Sequence, residues 1–325
     1  MSEKKFKVVI TDAEYPSFDI EKKVLSKINV ELVKFQCKTE EELIKNCKDA
    51  DAILNQYAKI TPKVIEKLKY VKIIARYGIG VDNVNLKAAT KKGIFVTNVV
   101  YDICDVADHT ITLMLALTRK LFFINKSVKK IEWDWKKFHP INRIKGKTVG
   151  IIGLGRVGRQ VAKRINCFDV KILACDPYVL PDAFKKYNAK SVDLDTLLKQ
   201  SDFVTIHVPL NDETRHLISK NQFKIMKNSA ILINAARGGI VDEKALYEAI
   251  LEKQIAGAGL DVFGSEPVDS DNRFLLLDNV TVTPHAGGST FDAEIHQSMM
   301  IAEDIEKYLN KKKPKFLKNP EVLKK

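Results

Sequence analysis

The sequence predicts an α/β fold of two doubly wound parallel-sheet domains, one inserted into the other. Three observations carry this. The 325 residues exceed the usual size of a single hydrophobic core. Short apolar runs alternate with helical patterns in two separate series, and such alternation gives right-handed βαβ units with a sheet covered on both faces. A final helical run, Asp292 to Leu309, is long enough to cross back and complete the first series.

The first series comprises Phe6 to Thr11, Val30 to Phe35, Ala52 to Leu54, Val71 to Ala75 and Ile94 to Thr97, each reading as a buried strand. Helix signals lie between them. Thr39 with Glu42 has the form of a capping box, Thr61 before Pro62 supplies a cap and then proline at the first helical position, and Gly93 is a helix stop. A long helical pattern covers roughly Cys104 to Phe123. The polar, aromatic stretch after it, with Trp133, Asp134, Trp135 and Pro140, breaks the rhythm and reads as a connection between domains. The second series is Thr148 to Ile152, Val170 to Cys175, Phe203 to Val208, Ala230 to Asn234, Ala258 to Val262 and Val280 to Thr283. The expected domains are 1–101 with 292–325, and 102–291.

Composition narrows the function classes. Apolar residues make up 45% and charged residues 29%, a balance that supports packed cores and argues against disorder. The chain runs from a few charged residues straight into an apolar strand and contains no long apolar stretch, so secretion and membrane spanning are both disfavoured and a cytoplasmic protein is expected. Cys37, Cys47, Cys104, Cys167 and Cys175 form no CxxC pair and no cluster with histidine, which suggests buried free thiols with neither a metal site nor a disulfide framework. The net charge of +13 is spread over predicted helix faces and not gathered into a basic stripe with aromatics, so nucleic acid is not an expected partner. A basic field would still draw anionic ligands to a cleft.

Gly153, Gly155 and Gly158 form a GxGxxG spacing that is weak alone but strong in context. It follows an apolar strand ending at Ile152 and precedes a helix carrying Val161, Ala162 and Ile165, the setting of a dinucleotide fingerprint. The helix N-terminus offers N–H groups to a pyrophosphate, and the second glycine lets that group approach. Asp176 ends the next strand, where a carboxylate accepts from ribose hydroxyls and repels a 2′-phosphate. NAD is therefore expected over NADP.

In open parallel sheets functional residues gather beyond the carboxyl ends of strands. Arg237, Asp261, Glu266 and His285 all fall there. Reduction of a 2-keto acid needs such a set: a cation for the carboxylate, a proton donor for the carbonyl oxygen, and a group that holds the nicotinamide. A lone histidine after proline is more often structural, and a lone Arg-Gly-Gly is commonly a turn. Their joint occurrence in this order outweighs that reading.

The blocks VGIIGLGRVG, Asp176-Pro177, HVPLNDETRHLI, LINAARGGIVDEKAL, AGAGLDVFGSEP and VTPHAGGST resemble the signature segments of the D-isomer-specific 2-hydroxyacid dehydrogenase family, over nearly the whole chain. The resemblance implies two Rossmann-like lobes, an NAD-binding domain inserted into a substrate domain, an active site between them, and a homodimer acting on a small anionic 2-keto or 2-hydroxy acid. Carried over, Arg237 would bind the substrate carboxylate, His285 would be the general acid in reduction and the base in oxidation, and Glu266 would hydrogen-bond His285 and orient it. Asp261 would orient the nicotinamide carboxamide. Cofactor contacts are expected from Gly153, Gly155, Arg156, Val157, Gly158, Asp176, His207, Pro209, Ala235, Asp261 and His285, and substrate contacts from Arg237 and the loop Tyr77, Gly78, Ile79 and Gly80, whose N–H groups would form an anion-binding nest. His207 is expected near the cofactor but outside the chemistry. His109 is expected to serve packing or hydrogen bonding, and His139, His216 and His296 are ordinary.

Within the family, the segments around ARYGIGVDNVN and NVVYDICDVADHT are most similar to the branch of C-terminal-binding proteins and their bacterial relatives, with phosphoglycerate dehydrogenases close behind. Gly287, Gly288 and Ser289 stand where the animal corepressors carry tryptophan, and Glu266 stands where formate dehydrogenases place glutamine. The regulatory domain of long phosphoglycerate dehydrogenases is not expected. A dinucleotide-sensing binding protein is the alternative of another class, but the Arg237, Glu266 and His285 set favours an enzyme. The acid itself is left open, because Arg76, Tyr77 and Tyr101 would shape the pocket in directions that a sequence does not fix.

Overall fold

The computed structural model describes residues 5–100 and 103–324. The chain divides into two compact units, Met1–Asp102 with Thr290–Lys325, and Ile103–Ser289, so the second unit interrupts the first along the sequence.

In the first unit β1 (Phe6–Ile10), β2 (Val30–Lys34), β3 (Ala52–Asn55), β4 (Ile73–Arg76) and β5 (Phe95–Thr97) pair in parallel in the order β2-β1-β3-β4-β5. Every residue of β3 and β4 is buried, as expected of parallel strands covered on both faces. On one face α1 (Asp19–Leu25) and the C-terminal helix Phe291–Leu309 place Leu25, Ile301 and Ile305 against Val8, Ile10 and Ile73. On the other, α2 (Glu40–Cys47), α3 (Pro62–Lys67) and α4 (Leu86–Lys92) bury Leu43, Ile65 and Ala89 against Val9, Ile53 and Ile74. Each fully buried Ile or Leu contributes on the order of 1.5–3 kcal/mol. The local signals act as read: Thr39 and Glu42 form both bonds of a capping box, Thr61 caps α3 ahead of Pro62, and Gly93 ends α4 at φ 74°.

In the second unit β6 (Thr148–Ile152), β7 (Lys171–Cys175), β8 (Ala189–Ser191), β9 (Phe203–Ile206), β10 (Ile231–Asn234), β11 (Gly257–Leu260) and β12 (Val280–Val282) form a parallel sheet in the order β12-β11-β10-β9-β6-β7-β8. Its helices are α5 (Cys104–Thr118), α6 (Leu121–Lys129), α7 (Arg156–Ile165), α8 (Pro181–Lys186), α9 (Leu194–Gln200), α10 (Lys220–Ile225) and α11 (Glu243–Leu251). α5 and α7 cover one face through Ile111, Met114, Val161 and Ile165, and α9 to α11 cover the other through Leu197, Phe223, Leu246 and Ile250. The chain runs outward from β6 to β8, then returns and runs the other way from β9 to β12. The reversal between β6 and β9 is a topological switch point, where a crevice opens at the carboxyl ends of the strands.

Three features differ from the sequence reading. The short edge strand β8 has two exposed residues of three and no apolar alternation to reveal it. The helical pattern from Cys104 breaks at Lys120, whose φ of 51° ends α5 and starts α6. The Trp133 to Pro140 stretch is not a connection between units. It lies inside the second unit, where Trp133 and Trp135 are 88% and 59% exposed. Tyr101 lies outside the described residues. Among the described residues no helix is long and apolar enough to cross a membrane, and no group of three or more His, Cys, Asp or Glu could hold a metal.

Candidate active site

The switch point of the second unit carries the glycine fingerprint. Gly153 follows β6 with φ 91°, and its N–H donates to Cys175 O at 2.9 Å while His207 N–H donates to Ile152 O at 2.7 Å. The three glycines do different work. A Cβ at Gly158 would lie 2.0 Å from Gly153 O, so the third glycine lets α7 pack onto the strand exit. A Cβ at Gly155 would meet nothing within 4 Å, and Gly155 caps α7 with no side-chain bond of its own. Open space before an uncapped helix start suits an approaching pyrophosphate, so the residues present fit a dinucleotide. Arg156 and Val157 form the first turn of α7.

Asp176 follows β7. Its Oδ2 accepts from Leu154 N–H at 2.8 Å and its Oδ1 from Tyr178 N–H at 3.0 Å, one bond per oxygen, which leaves each a lone pair for a hydroxyl donor. His207 and Pro209 follow β9, and Ala235 follows β10. The His207 ring is sunk: Nε2 lies 2.9 Å from Thr205 Oγ1, Nδ1 is buried with no hydrogen-bond partner, and burial pushes its pKa down to about 3.

β10, β11 and β12 are neighbours, so the residues after them share one stretch of the sheet's carboxyl edge at a strand spacing of about 4.8 Å. Asn234 closes β10 and braces the next turn: its Oδ1 accepts from Ala236 N–H and its Nδ2 donates to Arg237 O. Arg237 Nη1 donates to Ala236 O at 2.6 Å. A Cβ at Gly238 would lie 2.0 Å from the Phe263 carbonyl carbon and 2.3 Å from Gly264 N, so the Arg237 turn sits directly on the backbone leading to Glu266. Glu243 Oε1 accepts from Gly264 N–H at 2.5 Å and pins that loop from α11.

Glu266 faces two ways. Its Oε1 accepts from Phe263 N–H at 2.8 Å, and its Oε2 lies 2.7 Å from His285 Nδ1. The carboxylate thus holds one ring nitrogen of His285 and directs Nε2 away from itself. The two side chains keep 31% and 29% of their surface open, enough for a ligand to reach.

Asp261 is 1% exposed at the end of β11. Its Oδ1 accepts from Thr283 Oγ1 and Ala286 N–H and lies 3.2 Å from His109 Nε2, while Oδ2 accepts from Gly287 N–H. Burial alone would push its pKa up, but bonds from His109, Thr283, Gly287 and Ala286 outweigh it and hold the carboxyl below the ordinary aspartate value. Oδ1 is filled, and Oδ2 keeps one lone pair for a further donor.

In the first unit the loop after β4 carries Gly78 at φ 117°, with Gly78 O accepting from Val99 N–H and Ile79 O from Asn98 Nδ2. Because N–H and C=O point oppositely across a trans peptide, the Ile79 and Gly80 N–H groups face away from those partners. Tyr77 departs from the expected substrate contact. Its ring is 1% exposed in the core, its hydroxyl donates to buried Glu21 at 2.8 Å, and its N–H donates to Asn55 O, so it supports the loop from beneath. Arg76 is likewise buried, its guanidinium folded against Gly78.

Asn234, Glu243 and Thr283 were not singled out by the sequence. A polar residue closing an apolar strand was the one available sign of Asn234. Glu243 gives no local sign, because its partner lies 21 residues away.

Residues 111–287 match the family model described as D-isomer specific 2-hydroxyacid dehydrogenase, NAD binding domain. The D-3-phosphoglycerate dehydrogenase of Archaeoglobus fulgidus is 48% identical over 269 residues, 82% of this chain and 51% of that protein. The chain thus spans about half the length of that relative. The glyoxylate reductase of Thermofilum pendens is 40% identical over 298 residues, 88% of this chain and 86% of that one. Among solved structures, D-lactate dehydrogenase from Aquifex aeolicus, complexed with NAD and lactic acid, aligns with a TM-score of 0.84 and 28% identity over 98% of this chain and 97% of its own. With the family model matched across the sheet that carries Arg237, Glu266 and His285, and relatives matched over most of its length, the chain belongs to the D-isomer specific 2-hydroxyacid dehydrogenase family.

Proposed function

We propose that this chain is an NAD-dependent D-2-hydroxyacid dehydrogenase acting on a small 2-keto acid of the glyoxylate, hydroxypyruvate or phosphohydroxypyruvate type. The carrying observation is the 2.7 Å contact of His285 Nδ1 with Glu266 Oε2, on strand ends adjacent to the Arg237 turn. When bound, NADH supplies the hydride for the keto carbon. Arg237 offers parallel N–H donors to the substrate carboxylate, a geometry that lysine lacks. His285 gives a proton from Nε2 to the carbonyl oxygen during reduction and takes it back during oxidation. Keto acid, NADH and a proton thus become hydroxy acid and NAD. Glu266 fixes the imidazole through Nδ1, and the Ile79 and Gly80 N–H groups are assigned to a substrate anion.

The Asp176 carboxylate favours NAD, since its remaining lone pairs suit ribose hydroxyls and its charge opposes a 2′-phosphate. The exposed apolar side chains of α6 and the segment after it support a homodimer, and the free cysteines fit a cytoplasmic setting.

The test measures NADH consumption with glyoxylate, hydroxypyruvate and phosphohydroxypyruvate, each repeated with NADPH. Turnover of at least one acid is expected, with kcat/KM for NADH at least about tenfold above that for NADPH. No turnover of any acid would remove the enzymatic reading, and equal use of NADPH would remove the role of Asp176.

A further inference from the structure

Behind the candidate proton donor stands a second histidine that the reaction as proposed does not use. We propose that His109 is a positioning residue: through Thr283 and Asp261 it holds the loop 285–287 in the shape that presents His285. This rests on the reading of His285 as the proton donor.

His285 has φ 54°, in the left-handed region that side chains other than glycine seldom occupy, so the loop needs support from outside itself. Its own N–H is shared between Asp261 O at 2.8 Å and Thr283 O at 3.0 Å. The next two N–H groups donate to one carboxylate, Ala286 to Asp261 Oδ1 at 2.8 Å and Gly287 to Oδ2 at 2.9 Å. Asp261 therefore grips the loop with both oxygens. A Cβ at Gly287 would lie 2.9 Å from Asp261 Oδ2 and 3.5 Å from His109 Cδ2, which shows how closely the loop packs on this pair.

A carboxylate buried this deeply needs donors enough to replace water. Thr283 Oγ1 donates to Asp261 Oδ1 at 2.5 Å, which uses its only hydrogen. Its oxygen is then an acceptor for His109 Nε2 at 3.0 Å, so Nε2 carries a hydrogen. The same nitrogen lies 3.2 Å from Asp261 Oδ1 and supports both groups at once. His109 is well placed for this, because α5 packs against the sheet near β11 and β12 and brings the ring to their carboxyl ends. Removing the imidazole would leave Thr283 short of a donor and Asp261 with one fewer, and the grip on Ala286 and Gly287 would loosen.

The test uses His109→Leu, His109→Gln and the nearly isosteric Thr283→Val in the full chain. Amide hydrogen exchange at Ala286 and Gly287, measured without ligands, should quicken by about tenfold or more in His109→Leu and Thr283→Val. In His109→Gln it should stay near the parent, because the side-chain amide still offers an N–H. With NADH and glyoxylate, the first two variants should lose about tenfold or more in kcat at an unchanged NADH Kd, and His109→Gln should recover most of it. Parental exchange in both Thr283→Val and His109→Leu would overturn the proposal. So would a loss of NADH affinity without faster exchange, which would assign His109 to cofactor binding. Absence of turnover in the parent would strike the proposed function alone, since the exchange measurement decides the positioning by itself.

Discussion

His285 stands in a backbone conformation that costs about 1–3 kcal/mol for an ordinary residue, and that cost is met by bonds from Asp261, Thr283 and Glu266. Removing its ring should spare the backbone bonds to Asp261 and Thr283, give up only the Glu266 contact, and delete the chemistry. His285→Ala is expected to bind NADH as the parent does and to lose about 10² to 10⁴ in keto-acid turnover. Fluorescence titration of NADH and steady-state kinetics separate the two, and near-parental turnover would take His285 out of the mechanism. His207 makes a different prediction. With its pKa pushed from 6.5 to about 3 by burial, the folded state binds no proton in an interval where the unfolded chain does. Its contribution to stability is complete above the unfolded value and is lost as pH falls toward the folded one, at up to about 1.4 kcal/mol per pH unit. His207→Gln should therefore lose stability less steeply than the parent in urea titrations carried from neutral pH into that acid interval. Equal slopes would mean that the ring takes up a proton while folded. The candidates in the second unit were legible as types at strand ends. Tyr77 was not, because a tyrosine in a glycine loop reads the same whether its ring turns outward or, as here, down onto Glu21.

At the scale of elements, β6, the glycine turn and α7 form one piece whose glycines divide the work. A Cβ at Gly158 would strike backbone that cannot yield, whereas one at Gly155 would enter open space. Gly158→Ala is expected to lower stability by about 1–3 kcal/mol through overpacking. Gly155→Ala should melt like the parent and bind NADH about tenfold or more weakly, because the added methyl takes space needed by the pyrophosphate. Thermal melts and NADH titrations of both variants provide the check, and parental affinity in Gly155→Ala would place the pyrophosphate elsewhere. The strands with apolar runs were readable from period and length. β8 was not, because a three-residue polar edge strand is defined by pairing with β7 and not by its own sequence.

For the whole molecule, the segment from α6 onward presents Leu121, Phe122, Val128, Ile131, Trp133 and Trp135 with exposures of 42% to 95%. So much apolar surface in one short segment would suit an association face, and under the proposed homodimer a second copy would be its occupant. Sedimentation at low protein concentration should give the mass of two chains, and Ile131→Asp with Trp133→Asp should shift it toward one. A parent that sediments as a single chain would remove the homodimer. What the sequence by itself determined is whatever depends on residues close along the chain: the two series of strands and helices, the caps, the glycine fingerprint with its aspartate, and the placement of Arg237, Glu266 and His285 after strands. Hydrogen-bond periodicity and turn chemistry are local, so they leave local traces. Only the tertiary structure decided which of these residues meet. It set Gly238 against Phe263, Glu243 beneath the Glu266 loop and His109 against Thr283 from 174 residues away, contacts fixed by strand order and packing that no short stretch of sequence encodes.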